Sequence, residues 1–251
     1  MSFGHLRTVP DFGTVKIVRF ADGGLEITGR AAVVPEPDGF KAVPPPNASA
    51  SIPDAERELE NAERARRRRV QRVRHAIRHA QCDRLLTLTY RENMGDFNRL
   101  LSDWKKFTRV LRDVGSFVFV AVPERQKRGA WHLHIAVRGF KDVVFFRKVW
   151  HSIVGSGSVN IVYRRGSRSA WPSQRLAFYL SKYLGKTWDS DQESLHNRKR
   201  FFTSRGLTPP VELIQYSQEK WLDIIIRLVR EYPQLSSWFV ASDRPLFWAS
   251  G

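Results

Sequence analysis

Two imidazoles and a carboxylate lie close together near the middle of the chain, at Glu124, His132 and His134. Side chains two positions apart on a β-strand share a face, with Cα atoms roughly 6.5–7 Å apart, so the two histidines point the same way. Two imidazoles at this spacing can bind one ion, and the carboxylate adds an oxygen ligand. This donor set suits Mn²⁺ or Mg²⁺ in function, although Zn²⁺ or Ni²⁺ binds such ligands more tightly. We therefore expect a divalent metal cofactor, with these three residues as its ligands.

Two phenols and two ammonium groups share one stripe of a helix predicted further along the chain. The stripe consists of Tyr179, Lys182, Tyr183 and Lys186. A tyrosine with a pKa of about 10 is a weak nucleophile at neutral pH, and adjacent ammonium groups lower that pKa. With a metal that polarises a phosphate, such a tyrosine can cut a nucleic-acid strand and store the bond energy as phosphotyrosine. Ordinary amphipathic packing is the alternative interpretation of the same stripe.

The elements that position these residues alternate in the order β-α-β-β-α-β-α. The predicted strands cover residues 84–90, 117–122, 131–137 and 158–164, and the predicted helices cover 97–114, 143–153 and 172–186. The first six elements match the ferredoxin-like split βαβ arrangement, an α+β fold with one antiparallel sheet. Its first and third strands are central neighbours, which places Thr87 and Thr89 beside the two histidines. The catalytic helix after the fourth strand then lies across the sheet.

Composition divides the remainder of the chain. The predicted segments are an N-terminal β-hairpin with a proline-rich linker (1–53), a basic helix (54–82), the catalytic core (83–190) and a C-terminal helical and aromatic extension (191–251). The linker holds six of the thirteen prolines. The apolar positions of the basic helix recur at steps of three and four residues, as an amphipathic helix requires.

The charge of the chain indicates a polyanionic partner. There are 42 Lys and Arg residues against 25 Asp and Glu residues, a formal net charge of +17. Many arginines on one helix repel one another unless an anion relieves them, which favours a phosphate-contacting arm over a solvated face. The DNA-binding candidates are Arg67, Arg68, Arg69 and Arg72 of the arm, Arg125, Lys127 and Arg128 of a basic turn, and Thr87 and Thr89 on the sheet.

Several classes of protein are disfavoured by the sequence. No stretch of eighteen apolar residues is present, and residues 1–11 lack the apolar centre of a signal peptide. We therefore expect no membrane partner and a location in the cytoplasm of a bacterial host cell. Cys82 is the only cysteine, which excludes an intramolecular disulfide and a cysteine-rich zinc site.

The three motifs together resemble the HUH endonuclease superfamily. They are most similar to its rolling-circle replication initiators of the two-tyrosine group, typified by the replication proteins of small single-stranded-DNA phages. Residues 85–90 match the first motif, 132–134 match the histidine motif, and 179–186 match the pattern Tyr-x-x-Lys-Tyr-x-x-Lys. Glu124 stands in the place of the acidic metal ligand. The resemblance covers roughly residues 64–188.

This resemblance implies a mechanism and a set of partners. Tyr179 and Tyr183 would alternate as nucleophiles, forming a 5′-phosphotyrosine and freeing a 3′-hydroxyl that primes synthesis. Lys182 would help hold the phosphate or the leaving group, and the basic residues would grip single-stranded or hairpin origin DNA. Leu180 stands where a phosphate-binding loop requires glycine, so we expect a host helicase to act alongside the host polymerase.

Four other interpretations stay open at the level of sequence. A transposase of the same two-tyrosine chemistry needs the same residues. A conjugative relaxase usually has a third histidine ligand, for which His151 and His196 lie in unsuitable contexts. A non-catalytic DNA-binding protein would bind in a salt-sensitive manner without cutting. A non-haem iron oxygenase also uses two histidines and one carboxylate, but it would require a β-rich barrel.

Overall fold

A computed structural model describes most of the chain. The described residues are 12–31, 54–139, 142–162, 172–190, 199–217, 221–240 and 246–251. The proline-rich linker and the predicted end of the fourth strand at residues 163–164 lie outside them.

Five helices and ten strands are present in the described residues. The helices are α1 (Asp54–His79), α2 (Phe97–Val114), α3 (Val143–Val154), α4 (Ser173–Ser190) and α5 (Trp221–Glu231). The strands are β1 (Phe12–Arg19), β2 (Leu25–Ala31), β3 (Arg84–Tyr90), β4 (Phe119–Arg125), β5 (Trp131–Val137), β6 (Gly157–Val162), β7 (Phe202–Thr203), β8 (Val211–Ser217), β9 (Ser237–Val240) and β10 (Leu246–Ser250).

The chain separates into two compact units. One contains the described residues of Leu59–Thr208, and the other contains those of Met1–Glu58 and Pro209–Gly251. The division into four segments, with boundaries after residues 53, 82 and 190, stays a prediction.

The larger unit is built on a five-stranded sheet with the order β6-β3-β5-β4-β7. Every neighbouring pair is antiparallel. The elements β3-α2-β4-β5-α3-β6 form the ferredoxin-like unit that the sequence predicts, with the first and third strands adjacent at its centre. The α+β fold class is confirmed, and the sheet order argues against an oxygenase barrel.

One face of this sheet packs against α2 and α3. Trp131, Leu133 and Ile135 alternate along β5 onto this face, as the strand period of two requires. The helices supply the other half of the core, chiefly Leu100, Trp104 and Phe107 from α2, and Phe146, Val149 and Trp150 from α3. This aromatic layer anchors the face of the sheet opposite to the histidines.

The second face packs against α1 and α4. Val120 and Val122 of β4 and Ala136 of β5 lie in one buried cluster with residues from both helices. The helical members are Val73, Ala76 and Ile77 of α1, and Leu176, Ala177, Leu180 and Leu184 of α4. The helix after the fourth strand therefore lies on the histidine-bearing face, as expected.

Capping residues set the ends of the helices on the first face. Asp96 precedes α2 and accepts a hydrogen bond from the backbone N–H of Asn98 at 2.8 Å. Asp142 plays the same part before α3. Gly155 ends α3 with a φ of 77°, a conformation that favours glycine over residues with a Cβ atom.

Two elements differ from the sequence-based prediction. β4 covers Phe119–Arg125 rather than 117–122, so Pro123 lies inside the strand. The proline is tolerated because β7 pairs only with Val120 and Ala121, which leaves the other side of Pro123 without a strand neighbour among the described residues. The predicted apolar stripe of α1 is buried only towards its C-terminal end, since Leu59 is 70% exposed whereas Val73 is fully buried.

The smaller unit contains a second antiparallel sheet, with the order β8-β1-β2-β10-β9. The predicted hairpin forms its β1–β2 pair, with Ile17 opposite Ile27. Its core includes Ile224 and Leu228 of α5. The sequence predicts a helical and aromatic C-terminal segment, and the structure shows that this segment also contributes three strands to the sheet.

No helix in the described part of the chain combines the length and the apolar character that a membrane crossing requires.

The burial of Cys82 gives a test of this fold. Its side chain is fully buried between α1 and the sheet, and burial raises the pKa of Cys82 to about 12. Because the thiolate is the reactive form, we expect iodoacetamide to leave the folded chain unmodified and to label it stoichiometrically in guanidinium. Mass spectrometry measures the labelling, and Cys82 is the only possible site. Equal labelling rates with and without denaturant would contradict this burial.

Candidate active site

The pairing of β3 with β5 brings the two histidines together with two threonines. Thr87 lies opposite His134, and Thr89 lies opposite His132. The threonine hydroxyls lie 3.4 Å and 3.5 Å from the Nδ1 atoms of the rings across from them. Both histidines are buried, with 8% and 7% of their surface exposed. The threonines therefore border the Nδ1 edge of both rings, which leaves the Nε2 atoms for other partners.

Glu124 belongs to the same cluster. It lies opposite His132 in the β4–β5 pairing, and its Oε2 atom is 2.6 Å from Nε2 of His134. The extension of β4 past Pro123 is what carries Glu124 to this position. Structure and sequence agree that one carboxylate and two imidazoles lie on one face of the sheet.

We tested whether these three residues fit a divalent cation. Among the residues that the structure describes, no group of three or more His, Cys, Asp and Glu side chains is arranged to hold an ion. The reason is visible at Glu124 and His134, which bond to each other. However, Nε2 of His132 is buried without a hydrogen-bond partner among the described residues. Buried ring nitrogens are normally satisfied, so an orphaned Nε2 beside a carboxylate–imidazole pair matches the donor chemistry of a metal site.

Burial keeps the cluster short of positive charge. It lowers the pKa of His132 to about 4, with a further contribution from neighbouring His134. Arg128 acts in the same direction, whereas Glu124 opposes the shift. His132 is therefore neutral at physiological pH, which is the form that a metal ligand requires.

Helix α4 carries the two tyrosines over this cluster. Leu176, Leu180 and Leu184 are buried against the sheet and fix the rotation of the helix. The ring of Tyr183 stacks on His134 with centroids 3.8 Å apart and an interplanar angle of 14°. The predicted meeting of the tyrosine stripe with the histidine strand is therefore present.

The two tyrosines also contact each other. Oη of Tyr183 donates a hydrogen bond to Oη of Tyr179 at 2.8 Å, and the rings meet edge-on with centroids 5.5 Å apart. Two potential nucleophiles thus lie side by side, next to the histidine and carboxylate pair. Their position fits attack on one phosphodiester, and their catalytic role stays a prediction.

The expected effect of the lysines is wrong for Tyr183. Burial raises the pKa of Tyr183, and its hydrogen bond to Tyr179 raises that pKa further. Lys182 is exposed, so it does not act against these effects in this structure. Lys186 lies within α4, but its side chain is outside the described part of the chain.

The arginines of α1 fall into two groups. Arg64 and Arg67 form ion pairs with Glu60 and Glu63 one turn earlier on the helix. Among the described residues, Arg68 and Arg72 take part in no ion pair, and both are exposed, whereas Arg69 is partly buried. The predicted arm therefore offers fewer available cations than its composition suggests.

The basic turn between β4 and β5 adds three cations near the cluster. Arg125 donates from Nε to the carbonyl oxygen of Gly129, and Arg128 donates from Nη2 to the carbonyl oxygen of Tyr90. Lys127 and Arg128 are exposed. Arg128 also influences the pKa of His132, so this turn lies close enough to act on the site electrostatically.

Sequence analysis missed Arg74 as a residue of the candidate site. Its Nε donates to Oγ of Ser181 at 3.1 Å, and its guanidinium lies 4.4 Å from the ring centre of Phe178. Ser181 is buried and lies between the two tyrosines of α4 in sequence. Arg74 was indistinguishable in sequence from the other arginines of α1, because only the packing of α1 beside α4 selects it.

Two polar residues of β6 were also missed. Ser158 pairs with Thr89, and Asn160 pairs with Thr87. Both are exposed and continue the rows of polar side chains from the histidines to the edge of the sheet. Alternation along the predicted strand could have identified them, since residues 158 and 160 share a face.

Comparison with known proteins gives one result for this segment. Residues 83–188 match a family model described as replication-associated protein ORF2. The match covers fewer than half of the 251 residues and includes both the histidine cluster and the tyrosine helix. No curated protein and no solved structure matches the chain significantly. The match supports a replication-associated role, and the finer assignment to the two-tyrosine HUH group stays a prediction.

The contact of Arg74 predicts a stability difference between two arginines of the same helix. Arg74→Met removes a hydrogen bond and a cation–π contact, so we expect the free energy of unfolding to fall by about 1–2 kcal/mol. Arg72→Met, at an exposed position, should change it by less than about 0.5 kcal/mol. Urea denaturation followed by circular dichroism measures both values. Equal losses in the two variants would show that Arg74 does not hold α4.

Proposed function

We propose that this chain is a replication initiator that nicks and rejoins single-stranded DNA at an origin. The observation that carries the proposal is the position of the two tyrosines. Tyr183 stacks on His134 and its hydroxyl lies 2.8 Å from that of Tyr179. The replication-associated family match over residues 83–188 supports the same conclusion independently.

The chemistry is a transesterification. A tyrosine oxygen attacks the phosphorus of a phosphodiester, and an O–P bond forms while the bond from phosphorus to the 3′-oxygen breaks. The phenolic proton passes to solvent, and the departing 3′-oxygen takes up a proton. The products are a 5′-phosphotyrosine and a free 3′-hydroxyl, which can prime synthesis. The reverse reaction rejoins a strand without ATP, because the number of phosphoester bonds is unchanged.

Glu124, His132 and His134 would hold a divalent cation, Mn²⁺ or Mg²⁺. When bound, such an ion polarises the phosphate and stabilises the charge that develops on it. Thr87 and Thr89, which we predicted to contact DNA, border Nδ1 of the two rings. They would fix the ring orientations so that the Nε2 atoms serve as ligands.

Basic residues would bind the DNA backbone around this centre. Arg68 and Arg72 of α1 are exposed and positioned for phosphate contacts, as are Lys127 and Arg128 of the β4–β5 turn. Lys182, exposed on α4 between the two tyrosines, would hold the phosphate or the leaving group. We propose that a helicase and a polymerase of the host extend the 3′-hydroxyl.

Covalent capture tests the nicking activity. The probe is a library of single-stranded DNA of randomised sequence, incubated with Mn²⁺ and analysed by denaturing gel. We expect a protein–DNA adduct that is absent with EDTA and absent from the double variant Tyr179→Phe, Tyr183→Phe. Tyr216→Phe, which alters a tyrosine of the other compact unit, is the matched control and should retain the adduct.

The outcomes separate the candidate functions. Salt-sensitive DNA binding without an adduct would support a non-catalytic binding protein and reject the proposal. An adduct that persists in the double variant would reject both tyrosines as nucleophiles. A transposase of the same chemistry would make the same adduct, and replication of a plasmid carrying the captured sequence distinguishes the initiator from it.

The division of the α1 arginines predicts a difference in salt dependence. Each phosphate contact releases counterions, so removing one should lower the slope of log K against log salt by about 1. We expect this change for Arg68→Gln and Arg72→Gln. Arg64→Gln is the control, because Arg64 is already paired with Glu60 at 2.8 Å. Fluorescence anisotropy with a single-stranded oligonucleotide gives the slopes, and identical slopes in all three variants would exclude the arm from DNA binding.

A further inference from the structure

We infer that Tyr179 is the first nucleophile and that Tyr183 assists it as a hydrogen-bond donor before acting second. The inference rests on the proposed function, and it distinguishes two residues that the sequence motif treats alike. It is carried by the direction of the hydrogen bond between the two hydroxyl groups and by the different surroundings of the two rings.

The hydrogen bond favours negative charge on Tyr179. Oη of Tyr183 donates to Oη of Tyr179 at 2.8 Å. When Tyr179 loses its proton in the attack, this donated bond becomes a bond to a charged acceptor, which is about twice as strong as a neutral one. If Tyr183 lost its proton instead, the bond that it donates would be lost.

The surroundings disfavour charge on Tyr183. Its ring lies flat on His134, which is buried and bonded to the carboxylate of Glu124 at 2.6 Å. A phenolate at Tyr183 would therefore develop within reach of an existing negative charge. The same stacking holds the ring of Tyr183 in place, so its hydroxyl is oriented towards Tyr179 before any substrate binds.

The order of steps follows from this asymmetry. In the first transfer, the O–P bond forms at Tyr179, the bond to the 3′-oxygen breaks, the phenolic proton passes to solvent, and the departing oxygen takes up a proton. The oxygen of Tyr179 is then esterified and can no longer take the charge. Tyr183 is the remaining phenol beside the same centre, and it attacks the second phosphodiester by the same exchange of bonds.

Mapping the adduct tests the inference. The wild-type chain is trapped with the randomised single-stranded DNA library and Mn²⁺ in the first turnover, digested with a protease and sequenced by mass spectrometry. We expect DNA on Tyr179. Tyr183→Phe should still form the adduct on Tyr179, more slowly by about 10- to 100-fold, the effect of one hydrogen bond to a charged group. Tyr179→Phe should form none in the time that Tyr183→Phe needs to reach completion.

The failures of the two proposals are distinguishable. A wild-type adduct on Tyr183, or a faster reaction of Tyr179→Phe than of Tyr183→Phe, would overturn the order and leave the nicking activity intact. Absence of any wild-type adduct would overturn the proposed function and the order with it. The mapping of the wild-type chain does not depend on the folding of a variant, and circular dichroism verifies that both phenylalanine variants fold.

Discussion

The antiparallel pairing of β3 with β5 is the constraint on which the candidate site depends. It sets His132 opposite Thr89 and His134 opposite Thr87, with one face for all four side chains. A slip of one residue would turn the histidines into the aromatic layer beneath α2 and α3. Trp131 and the alternate residues of β5 prevent that slip, because they fill the core on the opposite face. The geometry of the polar site is thus maintained by hydrophobic packing on the other side of the sheet.

A second consequence of this packing is a site that resists charge in the absence of a partner. Burial holds the pKa of His132 near 4 and raises that of Tyr183. The carboxylate of Glu124 is satisfied by His134, while Nε2 of His132 has no hydrogen-bond partner in the described structure. Such a cluster is poorly solvated by itself, and a cation would satisfy its ring nitrogens. The basic turn lies outside this centre, where it can balance phosphate charge without entering the core.

Much of the larger unit could be predicted because its signals are local. Strands 84–90 and 131–137 end where their alternation ends, and Asp96 and Gly155 mark helix ends by the hydrogen bonds that caps provide. The end of β4 was missed, because proline usually interrupts a strand. Whether it does so depends on the neighbouring strand, and the short pairing of β7 is a tertiary feature that no window of sequence contains. The sheet of the smaller unit, which pairs strands from distant parts of the chain, is non-local in the same sense.

The site shows the same limit at the level of single side chains. The spacing of Tyr179 and Tyr183 predicts that they are neighbours on a helix, and neighbours they are. That spacing is symmetric, however, and it cannot assign them different roles. The difference arises from the sheet below, where His134 lies under one ring, and from α1 beside it, where Arg74 bonds to Ser181. The division of labour between the tyrosines is therefore a property of how α4 is seated, and a motif transplanted onto another surface would not carry it.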